Sequence, residues 1–293
     1  MSFLQLELRS RYLAGNERVN IFLPSLRFEE SMDVDGAPRK FYESGRKYKV
    51  LWLFHGSTES GMDWFLNSNI ARYAEERELI VVAPDGLNSE FLNWPEFGAG
   101  YNFWDFFTEE LMPMVHNWLP ASKDPKDNFI GGLSMGGNSA LMTALGHPGM
   151  FGGIAILSSA AREVDYLYKA AHMTADEFAA AAKADPVAYP GPHGTGMRAK
   201  EINAVCKYPT VQAFLDSAEN AWDRLTEAHE NGTLPPIYLC YGTKDFRAPR
   251  YGRFAEHLKE MGVTFKHDVF EGLAHEWAVW DPGIKNALDY FLA

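Results

Sequence analysis

Ser134 sits inside Gly132-Leu133-Ser134-Met135-Gly136-Gly137, a G-x-S-x-G arrangement. A serine hydroxyl attacks an acyl carbon only when it stands clear of its own backbone and next to a base. The residues before it, Asp127-Asn128-Phe129-Ile130, read as a strand, and Asn138 to Leu145 read as a helix. Ser134 would therefore occupy an abrupt strand-to-helix corner. Gly132 and Gly136 remove the Cβ atoms that would collide there. The N–H of Met135 then opens the helix, where unpaired amides and the helix dipole favour a developing oxyanion. Ordinary strand–helix turns with an exposed serine share these three fixed positions, so the rest of the chain must supply the remaining chemistry.

Where a nucleophile elbow is real, an acid and then a histidine follow it in chain order. Pro236 to Asp245 is an apolar strand ending in a turn that carries Asp245. Phe265 to Gly272 is a second strand, followed by Leu273-Ala274-His275 and a helix. Both residues fall just past the C-terminal ends of strands, the edge where open α/β sheets build their sites. His275 would take the serine proton, and Asp245 would fix the ring's tautomer. His116, His147, His229 and His257 lie on or beside helical stretches, and His267 lies mid-strand, so these read as surface or packing residues. His172 and His193 precede Asp245 and break the order. The second oxyanion donor should come from the loop after the third strand, which places the amide of Ser57 there, beside Gly56. His55 is expected to hydrogen-bond loop backbone rather than titrate.

Together, His55-Gly56, Gly132 to Gly137, Gly242-Thr243-Lys244-Asp245 and Gly272-Leu273-Ala274-His275-Glu276-Trp277 resemble the putative esterase family of the α/β-hydrolase superfamily. That family holds tributyrin esterases, esterase D (S-formylglutathione hydrolase), feruloyl and acetylxylan esterases, and the antigen 85 mycolyltransferases. The G-L-S-M-G-G form and the His-Glu-Trp sequence are most similar to the tributyrin-esterase-like branch. The resemblance runs from about Val19 to the C-terminus and implies Ser134 as nucleophile, Asp245 as acid and His275 as base. It also implies the Ser57 and Met135 amides as oxyanion hole, and short-chain esters as substrates. It departs between Ser159 and Leu234, where the chain is longer than a bare core connection needs.

The elements that must position these residues follow in a consistent order. Strands near 4–9, 18–23 and 49–54 precede helical turns from Gly61 to Glu76, and strand Leu79 to Ala83 comes next. A loop rich in Asn, Trp and Gly leads to a helix from Phe103 to Leu119 and so to the nucleophile strand. Strand Ile154 to Leu157 is followed by an insertion and then by the two strands carrying Asp245 and His275, with a helix between them. An opening hairpin followed by strand–helix alternation predicts a mixed, mostly parallel sheet with helices on both faces. The predicted organisation is one α/β-hydrolase domain over 1–293, with a helical insertion or cap at 161–235 after the sixth strand. The insertion contains a helix after Thr174, with Glu177 at capping-box spacing, and a second from about Val211 to Glu230. Pro190 to Gly196 between them reads as a lid loop, not a phosphate cradle, because no Lys-Ser/Thr pair opens a helix behind it.

At 293 residues the chain can bury a large core. Its net charge of −12 argues against nucleic acid or anionic membrane as partner, since both reward clustered Lys and Arg. The first nine residues alternate like a strand and lack a basic-then-apolar secretory pattern. No apolar run reaches the roughly 18 residues of a membrane span. Two cysteines are too few for a disulfide framework, and a cytoplasmic location is expected. Trp94, Tyr101, Phe103, Trp104, Trp277 and Trp280 cluster near the expected pocket, with Trp94 and Trp277 as substrate contacts. Asp105, Glu109 and Glu110 read as a solvated helix face, and no metal or organic cofactor is expected. The reading is a serine esterase acting on a small-molecule ester, with homo-oligomer formation left open. Thioester hydrolysis or acyl transfer is the alternative within the same chemistry. A non-catalytic binding protein on this fold is the rival from another class, disfavoured because no triad member is missing.

Overall fold

The computed structural model describes residues 2–28, 32, 35–162, 173–184 and 208–293. Strands β1 (Ser2–Ser10) and β2 (Gly15–Leu23) form an antiparallel hairpin along one edge. The apolar runs become β3 (Lys49–Phe54) and β4 (Leu79–Pro84), which pair in parallel. A small ribbon of β5 (Asn93–Trp94) and β6 (Tyr101–Asn102) stands apart. The remaining strands are β7 (Asn128–Leu133), β8 (Gly153–Leu157), β9 (Ile237–Gly242) and β10 (Phe265–Phe270). The main sheet runs β1-β2-β4-β3-β7-β8-β9-β10, parallel from β4 onward, and β8 is its sixth strand in chain order.

Near-continuous hydrophobicity is what a strand covered on both faces requires. Along β3, Val50, Trp52 and Phe54 enter one core with Phe103, Trp104, Phe106, Phe107 and the helix Ala248–Glu260. Leu51 and Leu53 enter the other, with Trp64, Ile70 and the helix Trp277–Phe291. The chain leaves β3 for β4 on one side and later returns to place β7 on the other. Such a reversal opens a crevice at the carboxyl ends of the two flanking strands, here the ends of β3 and β7.

Two local expectations need correction. The stretch 103–118 is helical, but Phe106–Leu111 is a π segment. The predicted helix Val211 to Glu230 is two helices, Val211–Leu215 and Ala221–Glu230. Asn220 accounts for the break: its side chain accepts from the Asp223 N–H and caps the second helix, as Thr210 caps the first. The helix Ala175–Ala184 carries the expected capping box, with Thr174 and Glu177 bonding each other's backbone N–H. The loop Pro190 to Gly196 lies outside the described residues. Among the described residues, no helix is long and apolar enough to cross a membrane.

Candidate active site

Between β7 and the helix Met135–Gly146, Ser134 takes φ 52° and ψ −115°. A non-glycine residue in this region stores about 1–3 kcal/mol of strain, which persists only where the surroundings enforce it. Here the Ser134 N–H donates to Leu157 O on β8 at 2.8 Å, tying the corner to the sheet. A Cβ at Gly132 would lie 2.4 Å from the Gly136 carbonyl carbon, and one at Gly136 would lie 2.4 Å from Phe54 O. The two glycines therefore let the elbow close against the end of β3. Met135, as the first residue of a 12-residue helix, has an N–H with no partner inside that helix.

β9 and β10 are neighbours, so the loops leaving them meet. The Lys244 N–H donates to Leu273 O at 2.8 Å, and the Gly272 N–H to Thr243 Oγ1 at 2.9 Å. This junction brings His275 Nδ1 to 2.6 Å from Asp245 Oδ2, with Asp245 only 3% exposed. Asp245 Oδ1 accepts the Arg247 N–H at 2.9 Å, so both carboxylate oxygens are oriented. With its Nδ1 proton held by the carboxylate, the ring leaves Nε2 as the basic nitrogen. Phe246 and Trp280 flank the ring, with centroids at 5.7 and 5.1 Å.

The loop after β3 supplies the facing wall. His55 is fully buried; its Nε2 accepts the Gly86 N–H at 2.9 Å and its Nδ1 lies 2.7 Å from Gly56 O. It holds loop backbone, as expected from the sequence. Glu59 braces the same loop: Oε2 accepts the Gly56 N–H at 3.0 Å and Oε1 accepts Trp277 Nε1–H at 3.1 Å. Burial pushes the Glu59 carboxyl above its usual range, while the Gly56 N–H pulls it the other way.

These pieces enclose a cavity of about 210 Å³, lined by Ser57, Ser134, Met135 and His275 among others. Ser134 and His275 share this cavity, and no hydrogen bond joins them. Of the aromatic contacts expected, neither Trp94 nor Trp277 lines it. Trp94 Nε1 is turned to Ser89 O at 2.6 Å, and Trp277 is engaged with Glu59; Trp280 takes the lining position. The acidic patch is also less solvated than expected, because Asp105 accepts from Asn93 and Glu110 from Ser10. No metal-binding cluster exists among the described residues. Sequence reasoning passed over Glu59, Arg162, Phe246 and Arg250 in the lining. Arg162 carried one usable signal, its place just beyond the carboxyl end of β8.

Comparison with known proteins gives the fold and the family. An acetyl esterase from Caldicellulosiruptor saccharolyticus is 26% identical across 99% of this chain and 98% of its own length. The solved S-formylglutathione hydrolase of Staphylococcus aureus superposes with a TM-score of 0.72 at 20% identity, over 100% of this chain and 99% of that one. The fluorophosphonate-binding serine hydrolase F of the same organism gives 0.71 at 20% identity, over 100% and 98%. These two likenesses carry the fold, which is the α/β-hydrolase fold. Residues 25–291 match the family described as Putative esterase, and the chain belongs to that family of carboxylic ester hydrolases.

Proposed function

We propose that this protein cleaves small carboxylic esters, acetyl to butyryl, through an acyl-enzyme on Ser134. The observation that carries the reading is the buried Asp245 paired with His275, whose ring lines the cavity that holds the strained Ser134. In this scheme His275 Nε2 takes the hydroxyl proton as Ser134 attacks the acyl carbon. It then returns that proton to the departing alcohol, and a water repeats the cycle to release the acid. Asp245 holds the ring and stabilises the imidazolium. The Met135 and Ser57 amides serve as the oxyanion donors, each worth about 3–4 kcal/mol in comparable enzymes. The cavity of about 210 Å³ supports a short acyl group, since it falls below the roughly 300–1,000 Å³ of drug-sized sites. The full-length likeness to an acetyl esterase points the same way.

The segment 161–235 is proposed as a cap that selects the ester; Arg162, at its root, lines the cavity. A cytoplasmic location is proposed from the low cysteine content and from Cys240, a buried free thiol. A fluorescent fluorophosphonate probe tests the central reading. Labelling of the wild type that vanishes in Ser134→Ala is expected, and labelling that survives the substitution refutes Ser134 as nucleophile.

A further inference from the structure

One wall of the cavity is cationic in a protein whose net charge is −12. Arg162, Arg247 and Arg250 line it, and among the described residues the carboxylates in the lining are Glu59 and Glu90. Both carboxylates are engaged internally, Glu59 by the Gly56 and Trp277 N–H groups and Glu90 by Arg162 Nη2. Arg162 is 4% exposed, and its Nη1 is buried without a hydrogen-bond partner among the described residues. Arg250 donates from Nη2 to Ala161 O at 3.3 Å, while its Nε is likewise buried with no partner among the described residues. Buried donors are almost always paired, and a guanidinium N–H at low dielectric is especially costly to leave alone. Both side chains line the same cavity, so a bound molecule there would meet guanidinium groups whose hydrogen bonds are not all made. Guanidinium groups match carboxylate geometry better than that of a neutral acceptor.

We propose that the ester this site takes carries a carboxylate, held by Arg162 and Arg250 while Ser134 attacks the ester carbonyl. The inference rests on the esterase reading and adds the chemical class of the substrate. Arg162 and Arg250 are then substrate-binding residues that set specificity, and they take no part in proton transfer.

The test compares esters of similar size, one of each pair carrying a carboxylate and the other neutral. Monoethyl succinate against ethyl butyrate puts the carboxylate on the acyl side. The 4-acetoxybenzoate anion against its methyl ester puts it on the alcohol side. Hydrolysis is followed by pH-stat in wild type, Arg250→Met and Arg162→Lys. Lysine keeps a cation beside Glu90 but lacks the second terminal nitrogen of the planar guanidinium fork, and Arg250→Met leaves the Glu90 pair intact should Arg162→Lys fold poorly. Wild type should favour the anionic member of at least one pair by about tenfold or more in kcat/KM, as a charge-assisted hydrogen bond implies. That ratio should fall towards one in each variant whose circular dichroism is native. Wild type that labels with fluorophosphonate yet favours neither anion overturns the inference and leaves the esterase reading standing. Ratios unchanged in folded variants also overturn it. Wild type that fails to label overturns the esterase reading and, with it, this one.

Discussion

Replacing Asp245 with asparagine should damage turnover through tautomer choice, and the structure fixes how. Asp245 Oδ1 accepts the Arg247 N–H and Oδ2 accepts His275 Nδ1–H. An amide that keeps its oxygen on Arg247 must present NH₂ to His275 Nδ1. The ring then protonates on Nε2 and cannot receive the Ser134 proton. Flipping the amide restores the tautomer but points NH₂ at the Arg247 N–H, leaving buried donors unsatisfied at about 1–3 kcal/mol. In either arrangement the imidazolium formed during attack loses its charged partner, worth about 1.5–3 kcal/mol for a hydrogen bond to an ionised group. Together these give about 3–6 kcal/mol, or roughly a 10²–10⁴-fold loss in kcat/KM. The assay is hydrolysis of 4-nitrophenyl acetate at pH 8, with circular dichroism as the check on folding. Asp268→Asn is the control: Asp268 Oδ2 accepts from Tyr238 Oη at 2.7 Å and Asn286 Nδ2 at 3.0 Å, away from His275. A folded Asp245→Asn that loses less than about tenfold, or an inactive Asp268→Asn beside an active Asp245→Asn, refutes the reasoning.

Ser134→Ala and His275→Ala should each remove nearly all esterase activity, and the double variant should lose little more, because the pair acts as one unit; additive losses in kcat would contradict this. Across 4-nitrophenyl esters, kcat/KM should be highest from acetate to butyrate and collapse for long chains, given the cavity of about 210 Å³; a preference for decanoate would overturn the short-acyl reading. Glu17 lies outside the site, and burial, aided by Asp85, raises its carboxyl from 4.5 to about 7, while the Arg18 N–H, the Tyr101 hydroxyl and the Arg18 charge oppose the rise. The fold thus binds this proton more tightly than the unfolded chain. The resulting stability is fully present below pH 4.5 and is lost as pH rises through 7. Glu17→Gln should therefore be more stable than wild type at pH 8, by up to about 3 kcal/mol in urea unfolding, with the gain gone at pH 4; a gain independent of pH would rule out the carboxyl as its source.

Much of this protein is legible in one dimension because its signals are local. The apolar runs of β3, β4, β7, β8 and β9 mark strands buried on both faces, and Gly132 and Gly136 mark a turn that admits no Cβ. Thr174 with Glu177 marks a helix start. Chain order and strand-end position pick out Ser134, Asp245 and His275 with no knowledge of packing. Other features depend on residues far apart in the chain. Trp277 could be read as a substrate contact until the fold brought it against Glu59, 218 residues away, where it braces the loop carrying Ser57. Trp280, one helical turn on, takes the cavity wall instead. The pairing of Arg162 with Glu90, and the N–H it leaves without a partner among the described residues, likewise have no local signature, since the two lie 72 residues apart. Strand and turn propensity act over a few residues through backbone sterics and periodicity. Which side chain fills a wall, and which donor is left without an acceptor, follows from how β3, β7 and β8 align and what packs across their ends. That is decided only when the tertiary structure forms.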